Sequence, residues 1–217
     1  RIRQANITRF INFVNRKYRL EIHAYEQLYK WSTEHIPEFW AAMWEFSEIR
    51  ASQKYDTVVD NLSKFPGAKW FIGAKLNFAE NLLRYRDNHT ALVFKPETQE
   101  SVKMTYMELY DSVARLASSL RELGVVPGDR VAAYMPNIAE TVIAMLAATS
   151  VGAVWSSCGT ELGAKAVLDR LGQIAPKVLF TVDRYPYKGK VFNILSSVNE
   201  ISNGIPSLKK IVAAHYM

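Results

Sequence analysis

The sequence has very little cysteine and histidine. Its 217 residues include one cysteine, Cys158, and four scattered histidines, His23, His35, His89 and His215. A single cysteine cannot form a disulfide within the chain, so we expect a reducing environment and a cytosolic protein. Because no Cys-x-x-Cys pair or neighbouring histidine accompanies it, we interpret Cys158 as a small buried side chain and not as a nucleophile. No histidine has a second ligand at metal-site spacing, so we expect no metal site here.

Long apolar runs and the common glycine motifs are also missing. No stretch of about 18 apolar residues is free of charge, which argues against a transmembrane helix. Neither Gly-x-Gly-x-x-Gly nor Gly-x-Ser-x-Gly occurs. The segment "GTELGAK" is similar to a phosphate-binding P-loop, but Gly159 and Gly163 stand one residue too close and Ala164 takes the place of the lysine. We therefore interpret it as a turn from strand to helix, with Thr160 as the helix N-cap.

Positive charge is concentrated at the start of the chain. Residues 1–30 contain seven Lys or Arg and two Glu, whereas the net charge of the whole chain is +6. A basic segment can bind nucleic acid or a membrane surface, but the remaining residues are nearly neutral, which favours a solvated helix face and no nucleic-acid partner. The aromatic run "YEQLYKWSTEHIPEFWAAMWEFSEI" has helical spacing. This spacing favours core packing over a ligand cage of tryptophans.

From residue 90 the sequence alternates between strand-like and helix-like segments. "TALVFK" and "SVKMTY" predict a hairpin, and Thr105 with Glu108 predicts a capping box. A helix is expected at 106–123 before Gly124, with an apolar stripe made of Leu109, Val113, Leu116, Leu120 and Leu123. The predicted strands that follow are "DRVAAYM", "AVWSS", "KVLFTVD" and "LKKIVAA".

Helices are predicted between these strands. One starts at the box-like pair Asn137 and Glu140, one covers "ELGAKAVLDRLGQIA" and one covers "VFNILSSVNEIS". Repeated strand–helix–strand units indicate an α/β fold, with a parallel-rich sheet and right-handed βαβ crossovers. We divide the chain into a helical, aromatic-rich extension with linker at 1–89 and an α/β subdomain at 90–217.

The segment "YPYKGK" follows "KVLFTVD", so it lies at the carboxyl end of a predicted strand. Ligands of parallel sheets bind at such ends. Gly189 permits close approach of a ligand to the backbone, and Lys188 and Lys190 supply positive charge. The segment therefore predicts a phosphate contact, and a solvated basic turn is the alternative.

A family resemblance covers nearly the whole chain. Through "LNFAENLL", "VWSS", "VLDRLGQIAPKVLF" and the aromatic N-terminal run, the chain resembles the first part of the acyl-adenylate-forming enzymes that join short-chain acids to CoA. The resemblance implies that ATP and the acid give an acyl-adenylate and pyrophosphate, with Mg²⁺ balancing phosphate charge, and that the CoA thiol then displaces AMP. It implies acetoacetate as the acid. A ligase for acetate or propionate and a non-catalytic CoA- or nucleotide-binding module are the alternatives.

The resemblance also assigns a role to the basic segment. It implies that Tyr187, Lys188, Gly189 and Lys190 contact CoA near its 3′-phosphate, where acetyl-type relatives have arginines. The family's Ser/Thr/Gly-rich ATP loop and catalytic lysine would follow the last residue. We therefore expect no catalytic residue, no tightly bound cofactor and no activity in this chain alone, which ends after a strand-like segment as part of a longer protein. We expect small-molecule substrates and a monomer.

Overall fold

The computed structural model describes residues 4–97 and 100–216, which form two compact units. The first unit ends at Leu76 and the second begins at Asn77. The division into 1–89 and 90–217 drawn from the sequence stays a prediction. The structure adds that the short helix in "NFAENLL" groups with the second unit.

The first unit contains three helices followed by a small sheet. Its elements are α1 (Asn6–Tyr18), α2 (Tyr25–Glu34), α3 (Ile36–Phe46), β1 (Thr57–Val59) and β2 (Trp70–Ile72). The two strands pair antiparallel. The helices enclose Phe10, Val14 and Trp31, and the ring of Phe10 meets that of Phe46 edge-on at 5.1 Å between centroids. Aromatic packing thus forms the core that helical spacing predicted for this region.

The second unit has the predicted α/β architecture. Its elements are α4 (Phe78–Leu82), β3 (Thr90–Phe94), β4 (Val102–Thr105), α5 (Tyr106–Glu122), β5 (Arg130–Tyr134), α6 (Ala139–Ser150), β6 (Val154–Cys158), α7 (Ala164–Leu171), β7 (Val178–Val182), β8 (Arg184–Tyr187), β9 (Lys190–Asn193), α8 (Leu195–Gly204) and β10 (Lys210–Ala214). Four strands form a parallel sheet in the order β10-β7-β5-β6. The pairs β3–β4 and β8–β9 are separate antiparallel hairpins. All five residues of β7 are buried, as expected for a central parallel strand.

Helix α5 begins and ends as its sequence predicts. The backbone N–H of Thr105 donates to Glu108 Oε2 at 2.8 Å, and the N–H of Glu108 donates to Thr105 Oγ1 at 3.2 Å, which completes the capping box. Gly124 has a φ of +74°. Its N–H donates to the Arg121 carbonyl at 2.9 Å, and the N–H of Val125 donates to that of Leu120 at 3.0 Å. These two bonds form a Schellman motif, which ends the helix.

The buried face of α5 differs at one end from the predicted stripe. Leu109, Val113 and Leu120 are buried as predicted, together with Ala117, and Leu116 is half-buried. Leu123, however, is 39% exposed, so its place in the stripe was wrong. It is the C-cap residue with a ψ of 2°, where the chain has left the helical path and the period of 3.6 no longer applies. The helix packs chiefly on α6 and the β3–β4 hairpin.

Two predicted helix starts are wrong. The N-cap of α7 is Gly163 and not Thr160, which is buried and lies in the segment before the helix. The N-cap of α6 is Ile138, and no side chain caps that helix, so Asn137 and Glu140 do not form a capping box. In both cases the chain makes a longer turn after its strand, which delays the helix beyond the polar residue that could have capped it.

Candidate functional site

A cavity of about 550 Å³ opens at the carboxyl edge of the parallel sheet. Its lining comes from the segments after β5 and β6 and from the β8–β9 hairpin, namely Pro136, Asn137, Thr160, Glu161, Tyr185, Pro186, Tyr187 and Phe192. Parallel α/β sheets bind ligands at this edge, where consecutive strand ends diverge. The cavity is therefore the candidate site of the second unit.

The segment "YPYKGK" is the tip of a hairpin. Lys188 and Gly189 form a two-residue turn, with φ values of +51° and +71°, between the paired residues Tyr187 and Lys190. Two successive positive φ values are typical of the type I′ turn, which matches the twist of hairpin strands. The helix predicted from Val191 is wrong in its first part, because residues through Asn193 pair as β9 and the helix begins at Leu195.

The four residues that the family resemblance singled out lie together on this tip. Tyr187 is 50% exposed, and Lys188, Gly189 and Lys190 are exposed as well. The Lys188 Nζ lies 5.2 Å from the centroid of the Tyr187 ring. No heavy atom beyond the chain neighbours lies within 4 Å of where a Cβ on Gly189 would stand. The tip thus carries two exposed lysines on either side of a glycine whose side-chain position is unobstructed.

Aromatic contacts fix the hairpin to the sheet edge. The rings of Tyr185 and Phe192 stack at 5.5 Å between centroids across the two strands. The Tyr185 hydroxyl donates to the Thr160 carbonyl at 3.2 Å, and the Tyr134 hydroxyl donates to the same carbonyl at 3.2 Å and to that of Leu162 at 2.7 Å. Burial raises the pKa of Tyr134, so its hydroxyl stays a donor. The contacts that hold the hairpin at the sheet edge therefore also place Tyr185 and Phe192 in the wall of the cavity.

A carboxylate at the base of the hairpin links it to the last strand. Asp183, directly after β7, accepts from the N–H of Arg184 at 2.9 Å, from His215 Nδ1 at 2.9 Å and from the N–H of Tyr216 at 3.3 Å. Burial raises the pKa of Asp183, but the hydrogen bonds from Tyr216, His215 and Arg184 outweigh it and bring that pKa to about 2. Asp183 therefore stays ionised and holds the ends of β7 and β10 together.

A second carboxylate contacts the hairpin at its turn. The N–H of Lys188 donates to Glu97 Oε1 at 3.1 Å, and the N–H of Gly189 donates to Glu97 Oε2 at 3.3 Å. Sequence reasoning missed this residue, because Glu97 lies 91 residues before Lys188 in a polar connection between two strands.

The structure also bears on the other residues and motifs considered from the sequence. Cys158 is buried at the end of β6, in agreement with its interpretation as a small buried side chain. In "GTELGAK", the Glu161 carboxylate lies against Gly159, in the space that a side chain at that position would occupy. Within residues 4–97 and 100–216, no group of three or more His, Cys, Asp or Glu side chains could hold a metal ion. Nor does the described part of the chain contain a helix long and apolar enough to span a membrane.

The first unit has an apolar cavity of its own, of about 490 Å³. It is lined by Trp40, Met43, Trp44, Ser47, Ile49, Trp70, Phe71, Ala74 and Leu76. The core-packing interpretation is right for the buried Trp31 and wrong for Trp40, which is 42% exposed and borders this cavity.

Two protein families match the chain, in segments that overlap at residues 78–82. Residues 78–215 match the family described as AMP-binding enzyme, and residues 25–82 match the one described as acetyl-coenzyme A synthetase N-terminus. The second match agrees with the resemblance of the aromatic N-terminal run.

Individual relatives are similar to this chain over nearly its whole length. It is 43% identical over 98% of its length to acetoacetyl-CoA synthetase of Xenopus tropicalis, and 37% identical over 94% to malonamoyl-CoA synthetase of Penicillium aethiopicum. The structure of acetoacetyl-CoA synthetase from Streptomyces lividans superposes with a TM-score of 0.91 at 42% identity over 98% of this chain. This chain spans 32%, 29% and 33% of these three proteins, respectively. The similarity extends through the sheet, the hairpin and the N-terminal helices, and the chain belongs to the AMP-binding enzyme family of acyl-adenylate-forming ligases.

Proposed function

We propose that the protein to which this chain belongs is an ATP-dependent ligase that joins acetoacetate to CoA. In this reaction the acetoacetate carboxylate attacks ATP to give acetoacetyl-adenylate and pyrophosphate. The CoA thiol then displaces AMP to give the thioester. Membership of the AMP-binding enzyme family supports the chemistry, and 43% identity to an acetoacetyl-CoA synthetase supports the acid. Since the chain spans 32% of that relative, the proposal concerns the whole protein.

Within that protein, the β8–β9 hairpin would receive the nucleotide end of CoA. The observation that carries this assignment is the position of Lys188 and Lys190, exposed at the tip of a hairpin whose aromatic residues line the cavity at the carboxyl edge. Lysine keeps the positive charge of arginine but lacks its two-pronged geometry, so we expect a looser or differently directed contact with the phosphate than arginine makes in acetyl-type relatives. Tyr187 and Gly189 complete the contact surface, and the role of these residues is to bind and orient CoA.

The remaining requirements of the reaction lie outside what this chain holds. Mg²⁺ would accompany ATP, but the residues described here contain no cluster of metal ligands, so we derive no step through the ion from them. We also propose small-molecule substrates, no nucleic-acid partner and a monomeric, cytosolic protein. The nearly neutral charge balance after residue 30 supports the absence of a nucleic-acid partner, and the lone cysteine supports the cytosolic location.

Another acid, such as acetate or propionate, is the second candidate within the same chemistry. The relative named malonamoyl-CoA synthetase, at 37% identity, favours keeping this candidate, because its name specifies a different acid. A panel of short acids in an ATP–pyrophosphate exchange assay separates the two, since the preferred acid supports the fastest exchange. No exchange with any acid, together with retained CoA binding, would point instead to a non-catalytic CoA-binding module.

The CoA assignment is tested by removing both tip lysines. Lys188→Ala with Lys190→Ala should weaken CoA binding about tenfold or more, because a hydrogen bond to a charged group contributes about 1.5–3 kcal/mol. Dephospho-CoA, which lacks the 3′-phosphate, should be affected much less. Calorimetric titration of the whole protein with both ligands measures the ratio of the two dissociation constants.

A matched control removes the same charge from the opposite edge of the sheet. Lys209 and Lys210 are exposed at the amino end of β10, so Lys209→Ala with Lys210→Ala should leave the ratio unchanged. Pyrophosphate exchange, which proceeds without CoA, reports whether each variant is folded. If the tip variant keeps the parent's preference for CoA over dephospho-CoA, the lysines do not contact the 3′-phosphate.

A further inference from the structure

The turn of the β8–β9 hairpin presents two neighbouring N–H groups to a single anion. The N–H groups of Lys188 and Gly189 each donate to a different oxygen of Glu97, at 3.1 Å and 3.3 Å. The strand pairing ends at Tyr187 and Lys190, so the two N–H groups between them are not used by the hairpin itself. Successive backbone N–H groups in turns form concave anion-binding sites, and here the anion is a remote side chain.

The geometry of this contact matches a phosphate as well as a carboxylate. Both groups present neighbouring oxygens that two adjacent N–H groups can reach, and charge-assisted bonds to backbone N–H groups are among the stronger ones. Lys188 and Lys190 stand on either side of Gly189 in the sequence, so the same turn carries two exposed positive charges. A phosphate with its greater negative charge would gain more from these lysines than Glu97 does.

The hairpin does not need Glu97 to keep its shape. Four residue pairs, from Arg184 with Asn193 to Tyr187 with Lys190, hold the two strands, and Tyr185 stacks on Phe192. Glu97 in turn is held in position from its own side, because Pro96 is buried and Phe94 contacts the ring of Tyr216 at 6.3 Å between centroids. The segment that carries the Glu97 carboxylate is thus held by contacts outside the hairpin.

We propose that Glu97 is a built-in anion that competes with the ligand's phosphate for the N–H groups of Lys188 and Gly189. The two N–H groups cannot donate to both anions at once. The negative charge of Glu97, while it is hydrogen-bonded to the turn, also repels a second anion there. Glu97 therefore lowers the affinity of the turn for phosphate, and a bound phosphate displaces the Glu97 side chain. The identification of that phosphate as the 3′-phosphate of CoA rests on the proposed function, whereas the competition itself does not.

The test compares Glu97→Ala and Glu97→Gln with the parent protein. Glu97→Ala should tighten CoA binding about threefold to tenfold, the range expected when one exposed charge-assisted contact is relieved. Glu97→Gln, which keeps one acceptor oxygen and loses the charge, should lie between parent and Glu97→Ala. Dephospho-CoA should bind all three proteins with dissociation constants that agree within about twofold. Calorimetric titration of the whole protein provides these values.

Two further measurements make the result specific. Glu100, an exposed carboxylate three residues further along, provides the matched control Glu100→Ala, which should leave CoA binding unchanged. In protein labelled with ¹⁵N-glycine, the Gly189 amide signal should shift on addition of inorganic phosphate at lower concentrations in Glu97→Ala than in the parent. Gly189→Asn, which tolerates the positive φ, identifies that signal by its loss.

The outcomes separate this inference from the proposed function. If Glu97→Ala binds inorganic phosphate more tightly but no variant changes the ratio of CoA to dephospho-CoA affinity, the competition stands and the CoA assignment fails. If the tip lysines change that ratio while Glu97→Ala binds phosphate and CoA as the parent does, or more weakly, the competition is overturned and the CoA assignment stands.

Discussion

At the scale of single residues, two carboxylates contact the hairpin at opposite ends. Asp183 fixes its base to the end of β10 through His215 and Tyr216, and Glu97 contacts its turn. Both carboxylates accept hydrogen bonds from backbone N–H groups. They differ in exposure, since Glu97 is exposed and the Asp183 side chain is 20% exposed. Asp183 is therefore the structural anchor of the two.

The anchoring role of Asp183 predicts a defined pH dependence. Its pKa is about 2 in the folded chain against an ordinary value of 3.8, so the carboxylate stabilises the fold above about pH 4, and this contribution is lost as the pH falls towards 2. Asp183→Asn should therefore lower the Tm at pH 5, and its deficit relative to the parent should shrink at pH 3. Thermal unfolding followed by circular dichroism measures both.

The control for this prediction is Asp169→Asn, which changes an exposed aspartate on α7. Its Tm should follow that of the parent at both pH values. A deficit of Asp183→Asn that is equally large at pH 5 and pH 3 would show that the ionised carboxylate is not what anchors the strand ends.

At the scale of secondary-structure elements, α5 illustrates how far local sequence rules extend. Its capping box and Schellman motif involve residues within a few positions of each other, so they could be predicted. Its buried face was predicted correctly as far as Leu120, and only at Leu123 did the end of the helix remove the periodicity. The partner of that face, α6 together with the β3–β4 hairpin, was decided by packing.

Two leucines of the predicted stripe should differ sharply in their contribution to stability. Leu120 is fully buried, so Leu120→Ala should lower the free energy of unfolding by about 2–5 kcal/mol through lost contacts and a cavity. Leu123 is 39% exposed at the end of the same helix, so the same substitution there should cost about 0.5 kcal/mol or less. Urea denaturation of both variants measures the difference. Equal losses would mean that α5 is rotated relative to the face described here.

At the scale of the whole molecule, the chain consists of a mainly helical unit and a unit with a parallel sheet, and it covers about a third of the enzymes it resembles. The parallel order β10-β7-β5-β6 brings the ends of its strands to one edge, where the cavity and the hairpin tip lie. The 217 residues contain no Ser/Thr/Gly-rich ATP loop. The chain thus carries the hairpin proposed to contact CoA, without the loop that the family resemblance links to ATP.

Without these adenylating residues, we expect the 217-residue chain by itself to form no acyl-adenylate. Acetoacetate-dependent exchange of pyrophosphate with ATP should equal the blank without protein, because the phosphate loop and catalytic lysine expected from the family are not within its sequence. The full-length protein assayed in parallel is the positive control. Exchange by the isolated chain clearly above the blank would contradict the assignment of the adenylating residues to other parts of the protein.

The sequence by itself determined the features that depend on neighbours along the chain. Strand and helix periodicity predicted the α/β fold, and the Thr105–Glu108 pair predicted the start of α5. Glycine and two lysines after a buried strand also predicted a phosphate contact at that place, which stays a prediction.

Only the tertiary structure decided which distant residues meet. The residues "KVFN" pair as β9 because a partner strand and a tight turn were available, and their apolar content had been equally compatible with a helix. Polar Thr160 is buried with its carbonyl bonded to two tyrosines, although its side chain would suit an N-cap. Glu97 reaches the turn across 91 residues. Such contacts follow from packing and strand order, which short-range sequence patterns do not encode.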